Sequence, residues 1–326
     1  MPQGALLHDL ESAAPPDLAA RLESLGYDSV WTGELWGTDA FVRLTNVAHA
    51  VDDVDLGTAI VNVFSRSPAV LAGAAAELDD VAGGEVRLGI GASTPKAVED
   101  LHGVAYDRPV RRIHETGELV KAYTAGEGRV DYDGELFSVQ DFPTLDADVP
   151  VYTAALGPAA RRATGRVADG WLPHNIPFEG LEDAFETVAE TAESAGRDPD
   201  SITVAPYVPA AVSDDPEEAH AAVRGHLAYY VGSGEGYRQA VASAFPDEAD
   251  AIADAWHEGN RGDARAAVTD EMVEALGVSG TPAMARDRLD EVAALDAVDE
   301  PLVVVPAAAD DELAERTYEE LAPEGR

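Results

Sequence analysis

Eight strand-like runs alternate along the chain with helical patterns, which predicts an α/β fold: a closed (β/α)8 barrel with insertion regions. Two further observations support it. No composition break marks a linker, and a length of 326 residues suits one barrel that carries an insertion. The expected organisation is a single domain over residues 1–326.

The first run is Gly4 to Leu7. A helix from about Pro16 to Leu25 follows, with Leu18, Leu22 and Leu25 on one face and Gly26 as its stop. Asp28 to Thr32 is the second strand, and a helix from about Asp39 to Ala50 leads to the third, Val54 to Val61. Ser67-Pro68 has the form of an N-cap followed by proline at the first helical position. Val86 to Ile90 is the fourth strand. A helix near Val110–Tyr123 and a small hairpin turning at Asp133-Gly134 precede the fifth, Val149 to Ala154. Gly170 to Pro173 is the sixth strand, a helix spans Phe178–Ala195, and Ile202 to Val208 is the seventh. A mostly helical insertion is expected near residues 216–276. A short helix after Thr281-Pro282 then leads to the last strand, Leu302 to Val305. Right-handed crossovers put every strand-to-helix loop at one end, so chemistry is expected there.

Composition excludes several classes of function. There are 62 acids against 22 bases, a formal net charge of −40, and only two lysines, Lys96 and Lys121. The acids are interspersed with apolar residues at helical spacing, which indicates an acidic surface on a folded protein rather than a disordered tail. Such a surface suits a salt-rich cytoplasm, where ions screen its self-repulsion. Nucleic acid and anionic membrane are not expected as partners, because both would be repelled. There is no cysteine, so disulfides, thiolate metal sites and a Cys nucleophile are excluded. No secretory signal and no apolar run of membrane-spanning length is found, which makes the expected location cytoplasmic. The eight histidines form no metal pattern: His114-Glu115 lacks the second histidine of H-E-x-x-H.

The loops after the strands carry the candidates. Glu34, in WTGELWGTDAF, is the candidate catalytic acid or base, since a carboxyl in a barrel mouth can have a raised pKa; the competing reading is a solvated loop acid. Gly89-Ile90-Gly91-Ala92-Ser93-Thr94 lacks the third glycine of a dinucleotide fingerprint and runs into Pro95. It is either a tight barrel turn or a contact to a phosphate or ribityl chain through Ser93 and Thr94. Gly157-Pro158 opens a helix whose free N–H groups suit an anion, with Arg161 and Arg162 one turn further on; these arginines serve an anionic ligand or pair with surface acids. His174 has a place near the mouth, whereas His102 and Trp31 read as structural.

Three segments together resemble the luciferase-like monooxygenase superfamily: LGYDSVWTGELWGTDAF, LGTAIVNVFSRSPAVLAGAAAELDDVAGGEVRLGIGAS and VPVYTAALGPAARRATGRVADGW. Within it they are most similar to coenzyme F420-dependent oxidoreductases of the methylenetetrahydromethanopterin reductase type. The resemblance covers residues 1–175, and GTPAMARDRLDEV fits the family's last helix; the 216–276 insertion carries no family motif.

The resemblance implies a luciferase-like (β/α)8 barrel with coenzyme F420 across its mouth. A bulge after the third strand, often with a non-prolyl cis peptide, would press on the back of the deazaflavin ring; here it falls within Ala59, Ile60, Val61 and Asn62. Ser93 and Thr94, with Ala155, Leu156, Gly157 and Pro158, occupy positions that contact the ribityl-phosphate. Glu34 stands where relatives have an acid near the deazaflavin, and Leu35 follows it where many relatives have histidine. The implied reaction is hydride transfer between the deazaflavin and a small organic substrate, among which a methylene-pterin, a folate, an alcohol or a carbonyl compound fit. Relatives are often homodimers. Two other readings are an FMN-dependent monooxygenase on the same fold and a protein that binds a flavin or deazaflavin without turnover.

The charge generates a first prediction. Lowering salt from molar to tens of millimolar should lower the melting temperature, because the excess negative charges lose their screening. A melting temperature independent of salt would contradict it.

Overall fold

The computed structural model describes residues 1–323. The chain divides into two compact units. One comprises Asp28–Leu172 and Thr187–Thr203; the other comprises Met1–Tyr27, Pro173–Glu186 and the chain from Val204 onward.

In the first of these units, parallel strands follow one another in chain order: Ser29–Thr32, Asp55–Thr58, Val86–Gly91, Val151–Thr153 and Gly170–Trp171. Their hydrophobic runs lack strict alternation because both faces are covered, as in parallel sheets generally. Trp31 is fully buried and meets the edge of Tyr152 with ring centroids 5.5 Å apart, so it is a core residue as its place in the strand suggested. The cap read at Ser67 is observed, and Asp39, expected as the first residue of its helix, caps it instead. Ser67 Oγ accepts from Val70 N at the start of Pro68–Asp79, and Asp39 does the same for Val42 N at the start of Ala40–Ala48.

Strand register locates a bulge. Leu56 and Gly57 pair with Val86 and Arg87, but Val61 and Asn62 pair with Ile90 and Gly91. One extra residue therefore lies on the earlier strand, at Ala59-Ile60, whose peptide is cis. Gly89 and Gly91 answer to this strand. A Cβ on Gly89 would lie 1.9 Å from the Thr58 carbonyl oxygen, and one on Gly91 would lie 2.9 Å from Ile60 Cδ1. Close backbone packing accounts for the Gly-x-Gly spacing, in agreement with the barrel-turn reading.

The expected hairpin forms from Arg129–Asp133 and Ser138–Pro143. It is tied to the helix Pro109–Tyr123 through Glu115, which is fully buried. Glu115 accepts from Arg111 Nε at 2.6 Å and from the backbone N–H groups of Glu135, Leu136 and Phe137 at 2.8, 2.9 and 3.1 Å. Burial alone would raise its pKa; these donors outweigh burial and hold the carboxyl below its ordinary range.

In the other unit, strands Gly4–Leu6 and Tyr207–Val212 both pair in parallel with Leu302–Val304, and Val278–Gly280 adds to the Tyr207–Val212 strand. The seventh expected strand, Ile202 to Val208, differs from what is observed. Pairing breaks between Thr203–Val204 and Tyr207–Val212. Pro206 lies in the gap; it has no N–H to give to a ladder. The 216–276 stretch forms five helices, from Pro216–Ser233 to Asp270–Leu276, around buried Val223, Leu227, Val231, Ile252 and Met272. A final helix, Asp311–Glu320, was not expected. It docks through Tyr318, whose hydroxyl donates to the Leu6 carbonyl at 2.6 Å.

Glu115→Ala should destabilise the protein by about 3 kcal/mol, because three part-buried N–H groups and the Arg111 guanidinium lose their buried acceptor. Denaturant titration in molar salt measures this, with faster amide exchange at residues 135–137. A loss below about 1 kcal/mol would show that the hairpin does not depend on Glu115.

Candidate active site

Parallel strands deliver their C-terminal loops to one edge of a sheet. In the unit built on Asp28–Leu172, that edge carries a cavity of about 270 Å³ lined by Glu34, Leu35, Thr38, Asp39, Asn62, Ser65, Arg66, Ser93 and His102. Glu34, Asn62 and Ser93 come from three successive strand ends, so the sequence candidates in these loops do meet.

Arg66 organises the cavity. Its Nη1 donates to Glu34 Oε1 and its Nη2 to Asp39 Oδ2, each at 2.6 Å. The Glu34 side chain is only 6% exposed. Glu34 is thus neither a solvated loop acid nor a lone carboxyl, but the buried half of an ion pair. Burial alone would lower the Arg66 pKa, but its two carboxylate partners reverse that and hold it above its ordinary value. Asp39 is pulled upward by burial and further downward by Val42 N–H and Arg66, so it stays ionised while capping its helix. Local pattern could not reveal Arg66, since its partners lie 32 and 27 residues away.

Asn62 fixes a second corner. Its Oδ1 accepts from Phe64 N and Ser65 N at 3.0 and 2.8 Å, which leaves Nδ2 as the donor to His102 Nε2 at 3.3 Å. The His102 ring proton therefore sits on Nδ1. His102, read from the sequence as structural, lines the cavity. Ser93 has a left-handed backbone, φ +57°, and Thr94 Oγ1 accepts from Ala97 N at 3.2 Å, capping the turn that follows. Leu35 and Trp36 are exposed.

Ala155 is buried, and its carbonyl accepts from Trp171 Nε1 at 2.8 Å. Gly157 and Pro158 are exposed at the start of the helix Pro158–Val167, where no side chain caps the first turn. Arg161, in that turn, has a buried Nε with no hydrogen-bond partner, and burial lowers its pKa. Neither Arg161 nor Arg162 pairs with an acid among the described residues. Free N–H groups and an unpartnered guanidinium suit an anion.

The other unit holds a neutral cluster. His174 and His226 are buried, with their Nε2 atoms 3.0 Å apart. Only one proton fits between them. Burial pushes the His174 pKa well below 6.5 and that of His226 down to about 3. Tyr207, Tyr230 and Tyr237 meet the His174 ring edge-on at 4.8, 4.4 and 5.4 Å.

A family model described as luciferase-like monooxygenase matches residues 8–298. The chain belongs to this family. It is similar to the 5,10-methylenetetrahydromethanopterin reductase of Methanolobus tindarius, 29% identical over 277 residues and 83% of each chain. That of Archaeoglobus fulgidus is 27% identical over 280 residues, again with 83% of each covered. Among solved structures, the coenzyme F420-dependent tetrahydromethanopterin reductase of Methanopyrus kandleri superposes with a TM-score of 0.79 at 25% identity, covering 99% of this chain and 98% of that one. The fold class is accordingly the luciferase-like (β/α)8 barrel with insertion regions. Among the described residues, no helix is long and apolar enough to cross a membrane.

The buried histidines make stability depend on pH. The fold favours their neutral forms, so below 6.5 the unfolded chain binds protons that the folded chain refuses. The contribution of His226 is complete above pH 6.5 and is lost as pH falls from there toward about 3, and that of His174 is lost in the same direction. The slope is up to about 1.4 kcal/mol per pH unit for each histidine. In molar salt, His226→Gln should show a shallower loss than the parent across that window. Equal slopes would contradict the assignment.

Proposed function

We propose that this protein is a coenzyme F420-dependent oxidoreductase that transfers hydride between the deazaflavin and a small organic substrate. The supporting observation is the unpartnered Arg161 at the uncapped helix start after Gly157. In a chain of net charge −40, unneutralised positive potential of this kind fits an anionic cofactor tail. The name carried by the coenzyme F420-dependent tetrahydromethanopterin reductase of Methanopyrus kandleri points to the same cofactor class.

In this reading Ala59, Ile60, Val61 and Asn62 back the deazaflavin ring. Ser93, Thr94, Ala155, Leu156, Gly157 and Pro158 hold the ribityl-phosphate, with Arg161 as countercharge. When bound, F420 supplies a hydride donor or acceptor carbon. Glu34 moves the proton that accompanies hydride transfer, from its Oε atoms beside Arg66. Arg66 keeps that carboxyl oriented through the Nη1 contact. Asn62 and His102 orient each other at the cavity wall.

Titration of the protein with F420 in molar potassium chloride should quench the cofactor's fluorescence saturably, whereas FMN should bind more weakly. Glu34→Gln should leave F420 affinity within about twofold while slowing hydride exchange by roughly 10²–10⁴. Saturable FMN binding with oxygen consumption and no F420 binding would sink the proposal, and an unchanged rate in the Glu34 variant would remove Glu34 from it.

A further inference from the structure

The residues that line the cavity are polar or charged with one exception, Leu35. Most of the polar ones are engaged within the protein. Arg66 holds Glu34 and Asp39, Asn62 accepts from Ser65 N and donates to His102, and Thr38 Oγ1 accepts from Arg43 Nη2 at 3.3 Å. Much of the hydrogen-bonding capacity of these walls is therefore already taken up. Leu35 is the opposite case. It is 54% exposed, so much of its apolar surface meets water at the edge of the cavity.

The next residue, Trp36, is 81% exposed. The other three tryptophans are placed differently. Trp31 and Trp171 are fully buried, and Trp256 meets the Tyr229 ring at 5.7 Å and lies under the Arg261 guanidinium, 3.5 Å from its ring centroid. Among the described residues Trp36 has no such ring or cation partner. A solvated indole is unusual, because its large area favours burial. The segment that carries it is fixed at both ends. Glu34 and Asp39 are both held by Arg66, and Asp39 also caps its helix. Gly37 turns the chain between them, with φ +82° and no atom within 4 Å of where a Cβ would lie. Residues 35–38 thus form a short anchored hoop that leaves two large apolar side chains mostly in water.

We infer that Leu35 and Trp36 determine specificity by taking an apolar flank of the substrate, an uncharged alkyl or aryl group beside the reacting centre. That this ligand is the substrate rests on the oxidoreductase reading; that an apolar group covers the hoop does not. Two observations select the occupant. Leu35 belongs to the cavity wall, so a molecule that fills the cavity covers it. The hoop also runs between two carboxylates that share one guanidinium, in a chain of net charge −40, which disfavours an anionic group at this edge. Covering the hoop removes apolar surface from water, which raises affinity by about three- to fourfold per methylene. A charged flank gains nothing there, since it would lose its own hydration against apolar walls.

The test uses the whole protein in molar potassium chloride, without F420, and straight-chain carboxamides from butanamide to heptanamide as neutral probes. Affinity is read from line broadening of the probe's terminal methyl resonance. Acrylamide quenching of tryptophan fluorescence reports Trp36 separately, because the other indoles are buried or stacked. In the parent, affinity should rise about three- to fourfold per methylene, and bound probe should protect Trp36 from acrylamide. Trp36→Ser and Leu35→Ser each remove an exposed side chain, so both should melt within about 2 °C of the parent. Each should flatten the chain-length dependence to less than about twofold per methylene. No binding in the parent, affinity independent of chain length, or a dependence unchanged in either variant overturns the inference. So does protection of Trp36 in the free protein that grows with protein concentration, which means that a second copy of the chain covers the hoop. None of these readings requires F420, so a failure of F420 binding and a failure of the hoop to bind apolar groups are separate results.

Discussion

The guanidinium of Arg66 lies between two carboxylates, Glu34 and Asp39, that belong to one short loop. Without it, two like charges would face each other at the edge of a strongly acidic protein, one of them nearly buried. Removing a partner from such a pair is more damaging than removing the pair, because the remaining charge has no water to turn to. The loop after the Ser29–Thr32 strand therefore holds its shape through Arg66, and so does the helix that Asp39 caps. The catalytic role assigned to Glu34 depends on the same contact: a buried carboxylate held by a fixed donor has a defined orientation, whereas a solvated loop acid does not.

A second constraint sets where Arg66 comes from. The extra residue at Ala59-Ile60 shifts the register of the strand by one against Val86–Gly91, and the Asn62 side chain then folds the chain back through Phe64 and Ser65. Gly89 and Gly91 permit that shift by lacking side chains. Bulge, asparagine turn and arginine are consecutive in sequence, so one segment supplies both the proposed back wall for the cofactor and the countercharge for Glu34. The chemistry of the His174 cluster in the other unit is the opposite. There the histidine rings are buried and neutral.

Much of the fold was legible because its signals are local. Apolar runs gave the first six strands within a few residues, Ser67 announced its helix, and Asp133-Gly134 marked the hairpin. The misses share a cause. Pro206 interrupts a run that is apolar on both sides, and the helix Asp311–Glu320 is so rich in acids that its buried face, Ala314, Thr317 and Tyr318, is a thin stripe. The site was legible only as a set of loop ends. Glu34, Asn62 and Ser93 could be placed at one edge by counting strands, but the pairing of Glu34 with Arg66 and the turn of Asn62 toward His102 arise from contacts between distant positions. No periodicity encodes them.

The most direct measurement is a crystal structure of the protein grown in molar salt with F420 bound. The expected result is a deazaflavin ring lying against Ala59-Ile60, with its phosphate near Gly157 and the Arg161 guanidinium. A ring bound away from Ala59-Ile60, or a phosphate that leaves Arg161 unpartnered, would contradict the proposed site.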